Sequence, residues 1–149
     1  MTKKIIFKFR RVLVICLHLM LIGGSNYLSF WVRFDGKIPA EDLVVFFQVL
    51  PWLILVRGIT FAPFRLYEGL WRYTGIWDLR NIILGVSSSS VLFYLTVRGV
   101  LQLQGYPRSV FFIDSLILIC LMGGVRLVWR LRGTFKTPKL RKRLLIYGA

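Results

Sequence analysis

Four polar side chains, Asn26, Gln48, Arg98 and Asp114, lie inside otherwise apolar stretches of this 149-residue chain. Ionisable groups at membrane depth are expensive, so they mark either chemistry or helix-to-helix bonding. At about 1.5 Å per helical residue, all four fall within about 5–10 Å of the same ends of their stretches. This spacing predicts one polar layer tying the helices together, with Arg98 and Asp114 as its ion pair. An unpaired Asp at that depth would cost on the order of a few kcal/mol or take up a proton. A proton relay or a transport site is the sharper chemistry these groups would allow, and structural bonding is the economical reading.

His18, Arg57 and Arg126 fall in the opposite half. The two arginines are expected to reach the headgroups on their long stems, or to enclose a lipid phosphate between helices. His18 reads as a helix–helix hydrogen-bonding residue, because no second His or carboxylate stands near it at metal spacing. Cys16 and Cys120 are isolated in apolar surroundings without CxxC spacing, so neither a disulfide framework nor a metal site is expected.

The last residues carry a different chemistry. Arg141, Lys142 and Arg143 lead into the apolar, β-prone run Leu144-Leu145-Ile146-Tyr147, followed by Gly148 and Ala149. The first strand of a dinucleotide-binding βαβ unit begins this way, just ahead of its glycine-rich turn. Gly148 matches the first glycine of GxGxxG, and the remainder of the motif does not follow in this chain. A lone strand cannot pair or bury its faces, so the residues after about 134 are expected to be poorly ordered or extended from the preceding helix.

The elements that must position these groups are read from composition. The chain is 56% hydrophobic with a formal net charge of +15 and a mean hydropathy of +0.66. A soluble domain of this size would need more polar surface. The apolar residues fall into four stretches at about 12–32, 43–64, 79–101 and 109–129, each long enough to cross a bilayer as a helix. The positive charge lies between the stretches and at both ends, which fits loops on an anionic leaflet and sets nucleic acid aside as a partner. Pro51 is expected to kink the second stretch, Asp78 to cap the third, and Ser87 to Ser90 to weaken the hydropathy of the third. Seventeen of the 21 lysines and arginines belong to the N-terminus, the 57–80 region and the region from Arg126 onward. Both termini are therefore expected to be cytoplasmic. The expected organisation is a basic cytoplasmic N-terminus (1–11), an all-α four-helix membrane domain (12–133), and a cytoplasmic linker with the first strand of a dinucleotide-binding domain (134–149).

Between the second and third stretches, Tyr67, Trp71, Arg72, Tyr73 and Trp77 alternate rings with charge, as expected at headgroup level. A docking surface for a following domain is the alternative. Gly23-Gly24, the serine run and Gly123-Gly124 are candidate patches for self-association.

Three segments resemble one family. LYEGLWRYTGIWDL (66–79), GYPRSVFFID (105–114) and KRLLIYGA (142–149) are similar, in the same order, to the membrane-bound nucleotide-sugar 4,6-dehydratases of bacterial surface-polysaccharide biosynthesis, the CapD-like proteins. The resemblance covers nearly the whole chain. The polyprenyl-phosphate sugar-1-phosphate transferases share a related architecture but fit the wording of these segments less well. The resemblance implies four membrane helices at the bacterial inner membrane, then a cytoplasmic Rossmann domain that binds NAD(P) and dehydrates a nucleotide sugar. It implies that this chain is the anchor of such an enzyme, truncated at the start of the Rossmann domain, catalytically inert and without a cofactor of its own. Its expected partners are the lipid bilayer, other copies of itself and glycan-assembly enzymes. A free-standing four-helix protein for lipid binding, small-solute transport or assembly is the alternative.

Overall fold

Pro39 and Pro63 bracket the second helix. Pro39 stands in extended geometry at its N-cap, and Glu41 and Asp42 place negative charge on its first turn, where the helix dipole favours it. Pro63 has no N–H to offer the Ile59 carbonyl, and Ala62 takes that acceptor instead at 3.3 Å, closing the helix. The helix therefore spans Ala40–Phe61, about three residues earlier than the 43–64 expected from hydropathy alone.

This computed structural model describes residues 2–64, 66–67, 76–103 and 105–136. Among them are α1 (Thr2–Arg33), α2 (Ala40–Phe61), α3 (Ile76–Leu95) and α4 (Arg108–Lys136), and no strand. The β-run expected at 144–147 lies outside the described residues. Among the described residues, four stretches are long and apolar enough to cross a membrane: Val12–Arg33, Ala40–Phe61, Trp77–Val100, which runs past the end of α3, and Arg108–Trp129. The third has the lowest mean hydropathy, 1.4, as its serines predict. Asp78, expected as a cap, instead lies within the first turn of α3.

Both α1 and α3 pack against α2 and α4, so α2 and α4 face each other diagonally across the bundle. The surface is apolar, with Met20, Phe47, Ile59 and Phe112 turned outward, while Ser25, Asn26, Arg57 and Asp114 are buried. That inverts the distribution of a soluble domain and suits a helix bundle whose solvent is lipid. The interior between the polar groups is filled by Ile22, Leu53, Val86 and Leu118.

Both ends of the bundle are closed by a connection folded inward. At one end, α3 runs into a π-helical turn, Thr96–Val100. Leu101 N–H then bonds the Thr96 carbonyl, Leu103 N–H bonds the Val97 carbonyl, and Gln102 takes a left-handed φ of 50°. The widened turn redirects the chain so that Tyr106 enters the bundle, its ring 4.6 Å from Phe111 and 5.4 Å from Phe30. At the other end, Leu66 is buried against α3, where a Cβ on Gly85 would stand 2.7 Å from Leu66 Cδ1. Glycine at 85 is what gives the connection room to lie so close.

Candidate functional site

The buried polar groups converge on Asp114. Arg57 reaches across the diagonal from α2 and donates from Nη2 to Asp114 Oδ2 at 2.6 Å and from Nη1 to Oδ1 at 3.3 Å. The Ser25 hydroxyl of α1 donates to Oδ1 at 2.7 Å. On α3, the Ser90 hydroxyl lies 3.4 Å from Arg57 Nη2 and accepts from Ser115 of α4 at 2.8 Å. One bonded layer thus takes a residue from each of the four helices. The two charged side chains are essentially inaccessible, at 0% and 1%. A forked guanidinium matched to a carboxylate is the arrangement that best offsets the desolvation of both ions. Arg57 Nε is the one buried guanidinium donor of this layer without a partner.

The membership of this layer differs from the expectation. Asp114 pairs with Arg57 and not with Arg98, because Arg57 is turned into the bundle instead of out toward headgroups. Hydropathy placed Arg57 in the half of its stretch away from Asp114, and a long side chain on a diagonal helix covers the remaining distance. Arg98 instead donates to the Tyr106 carbonyl at 3.2 Å, since the π-turn carries it to the connection. Asn26 is buried but belongs to that same neighbouring cluster, donating to Tyr106 Oη at 2.8 Å. Gln48 is exposed on the outward face of α2 and joins neither group. Burial, together with the negative charge of Asp114, raises the Tyr106 pKa well above the ordinary phenol range. A hydroxyl that stays neutral can both accept from Asn26 and tolerate the dry interior.

A second ionic contact lies at the far end. Arg126 donates to Asp78 Oδ1 and, at 3.0 Å, to the Leu66 carbonyl. Instead of reaching for headgroups, Arg126 fastens the first turn of α3 and the inbound connection to α4. His18 lies beside it in a small crevice lined by Leu17, Leu21, Met122, Val125 and Arg126. Its Nδ1 is 2.7 Å from the Val14 carbonyl of its own helix, and among the described residues it shows no hydrogen bond to another helix. Its ring rests 5.3 Å from that of Tyr67.

Tyr67 is the described tyrosine of the ring-and-charge connection. It folds onto the bundle and donates to the Gly58 carbonyl at 3.0 Å, and partial burial raises its pKa. Trp77 is exposed, with the Arg80 guanidinium 5.2 Å from its ring centroid. Trp71, Arg72, Tyr73 and Gly148 lie outside the described residues. Of the small-residue patches, Ser89 and Ser90 are engaged inside the bundle, while Gly124 has open space where a Cβ would stand. Among the described residues, no three His, Cys, Asp or Glu are grouped to hold a metal ion.

The arrangement is therefore a charge-neutral, closed layer and not an open catalytic cleft. The signal that sequence reading lacked was angular position. Ser25 and Ser90 look ordinary in hydropathy, and only their facing of Asp114 and Arg57 makes them members.

No family model matches the chain, and no solved structure matches it. Over 147 residues, 95% of this chain, the sequence is 27% identical to the capsular polysaccharide biosynthesis protein CapD of Staphylococcus aureus. The matched region is 24% of that protein, so the chain spans about a quarter of the length of the curated relative it matches.

Proposed function

We propose that this chain is the membrane anchor of a nucleotide-sugar dehydratase of bacterial surface-polysaccharide biosynthesis, and that it performs no chemistry itself. The observation that supports this is the shape of the likeness, which runs along 95% of the chain but 24% of CapD. Four helices of membrane length are what an anchor requires. The bundle axis, closed by Arg57 and Asp114 and packed with apolar side chains, favours an anchor over a solute carrier, whose site would lie open between helices. The nucleotide sugar and NAD(P) would be handled by the Rossmann domain that Gly148 would begin, on the cytoplasmic face. Charge supports that orientation. With Arg57 withdrawn into the bundle, sixteen lysines and arginines stand on the terminal side against four on the other. Holding the enzyme at the membrane would raise its effective concentration near enzymes acting on lipid-linked sugars.

The test compares the enzyme carrying this region with a version lacking residues 1–136. Deletion is expected to move the enzyme from membrane to soluble fraction and to lower polysaccharide output, with dehydration of soluble nucleotide sugar unchanged. Unchanged fractionation would overturn the anchor role. An alkaline phosphatase fused after residue 149 is expected to be inactive and one fused at Lys37 active; the reverse pattern would overturn the orientation.

A further inference from the structure

On the outward face of the bundle, α3 and α4 part to leave a groove of about 480 Å³. Arg108 stands at one end beside Tyr94, and Ser87 and Ser115 at the other. Seven residues separate Arg108 from Ser115 and Tyr94 from Ser87, so the groove runs roughly 10 Å along the helices. Phe111 and Phe112 supply its apolar wall. Ser115 keeps its hydroxyl within the bundle, 2.8 Å from Ser90 Oγ and 2.7 Å from the Phe111 carbonyl, so the floor presents small side chains. Arg108 is exposed and has no hydrogen-bond or ion-pair partner among the described residues.

We propose that this groove is a binding site for an anionic phospholipid, with its phosphate at Arg108 and one acyl chain lying between α3 and α4. The volume is within the range of small-molecule sites, and the length runs from headgroup level into the hydrocarbon. The pairing of an unpartnered cation with an apolar trough matches the two halves of such a lipid. Arg108 is the first residue of α4, where the helix dipole adds to the attraction for an anion. A free phosphate would gain nothing from the trough. A second copy docked symmetrically on this face would bring two Arg108 side chains together, and no acidic residue lines the groove to offset them.

The whole chain, reconstituted in phosphatidylcholine vesicles with a minority of phosphatidylglycerol, is extracted into mild detergent and examined by native mass spectrometry. One retained phosphatidylglycerol per chain is expected. Arg108→Gln should lower that retention about fivefold. Ser87→Phe, which obstructs the trough and leaves the cation in place, should also lower it. Arg33→Gln removes an exposed charge at the same end but off the groove and should leave it unchanged. Equal retention of phosphatidylcholine and phosphatidylglycerol would overturn the proposal, as would a loss on Arg33→Gln equal to that on Arg108→Gln. A chain dimer free of lipid would overturn it in favour of a second copy as the occupant.

Discussion

Arg57–Asp114 and Arg126–Asp78 each join a cation to a carboxylate between helices, yet they do different work. The first spans the diagonal, is closed off from all surroundings, and has a partner on every helix. The second joins the neighbouring helices α3 and α4 near one end, with side chains 5% and 18% accessible, and shares its arginine with a backbone carbonyl. Depth sets the difference. Where neither water nor headgroups can reach, a charge must be matched by another charge and by hydroxyls, so the pair dictates which helices face one another. Near the end, a charge has other partners within reach, and the pair serves to hold a connection in place.

The largest effect should come from separating the deep pair. Asp114→Leu or Arg57→Leu strands one buried ion and is expected to cost about 3–5 kcal/mol, whereas the double variant should recover most of that loss. Unfolding in mixed micelles, followed by helical circular dichroism, measures both. Strict additivity of the two single losses would show that the pair is not coupled.

At the end pair, Arg126→Gln is expected to cost about 1–3 kcal/mol, less than at the deep pair, since Asp78 is partly accessible and only hydrogen bonds to a charged group are lost. Its local effect should exceed its global one. Hydrogen exchange at Leu66 should quicken because the 66 carbonyl and the connection lose their fastening to α4. A loss as large as that of Asp114→Leu would erase the distinction between the two pairs.

The four helices were legible in the sequence because hydropathy and length report burial in lipid directly. The limits of their membrane-length stretches were legible to within about three residues, with Pro39 and Pro63 correcting α2, but hydropathy did not show that α1 starts back at Thr2 or that α4 runs on to Lys136. The site was legible only in kind. Asp114 and Asn26 stand out as buried polar residues, but which partner each takes depends on helix rotation, which α2 and α3 hardly encode when apolar residues surround them on all sides. Arg98 was misassigned because its π-turn rotates it away from the α-helical direction that periodicity assumes. Arg57 was misassigned because depth was counted at the backbone, whereas a long side chain acts several ångströms from it.

The cluster around Tyr106 sits beside the deep pair but carries no buried ion pair, so its removal should cost less. Tyr106→Phe leaves Asn26 without its acceptor and is expected to cost about 0.5–1.5 kcal/mol. It should also alter behaviour in alkali. Because the folded phenol ionises above its unfolded range, its contribution is fully present below about pH 10 and declines as pH rises beyond it. The phenylalanine variant should lose Tyr106's share of that decline, and an unchanged alkaline profile would show that Tyr106 is not held neutral by the fold.

The smallest effect should fall on Gln48, which lies in the same apolar stretch as Arg57 and was expected in a polar layer with Asn26, Arg98 and Asp114. Its side chain is exposed on α2, so Gln48→Leu replaces a polar group facing lipid by an apolar one and breaks no observed bond. The change in stability should stay within about 0.5 kcal/mol of zero, or be slightly favourable. Asn26→Leu, at a buried position bonded to Tyr106, should cost about 1–3 kcal/mol in the same micelles. If the two substitutions cost the same, position on the helix would not be what separates a bonded polar residue from an idle one, and the contrast between depth and surface drawn from the two ion pairs would fail with it.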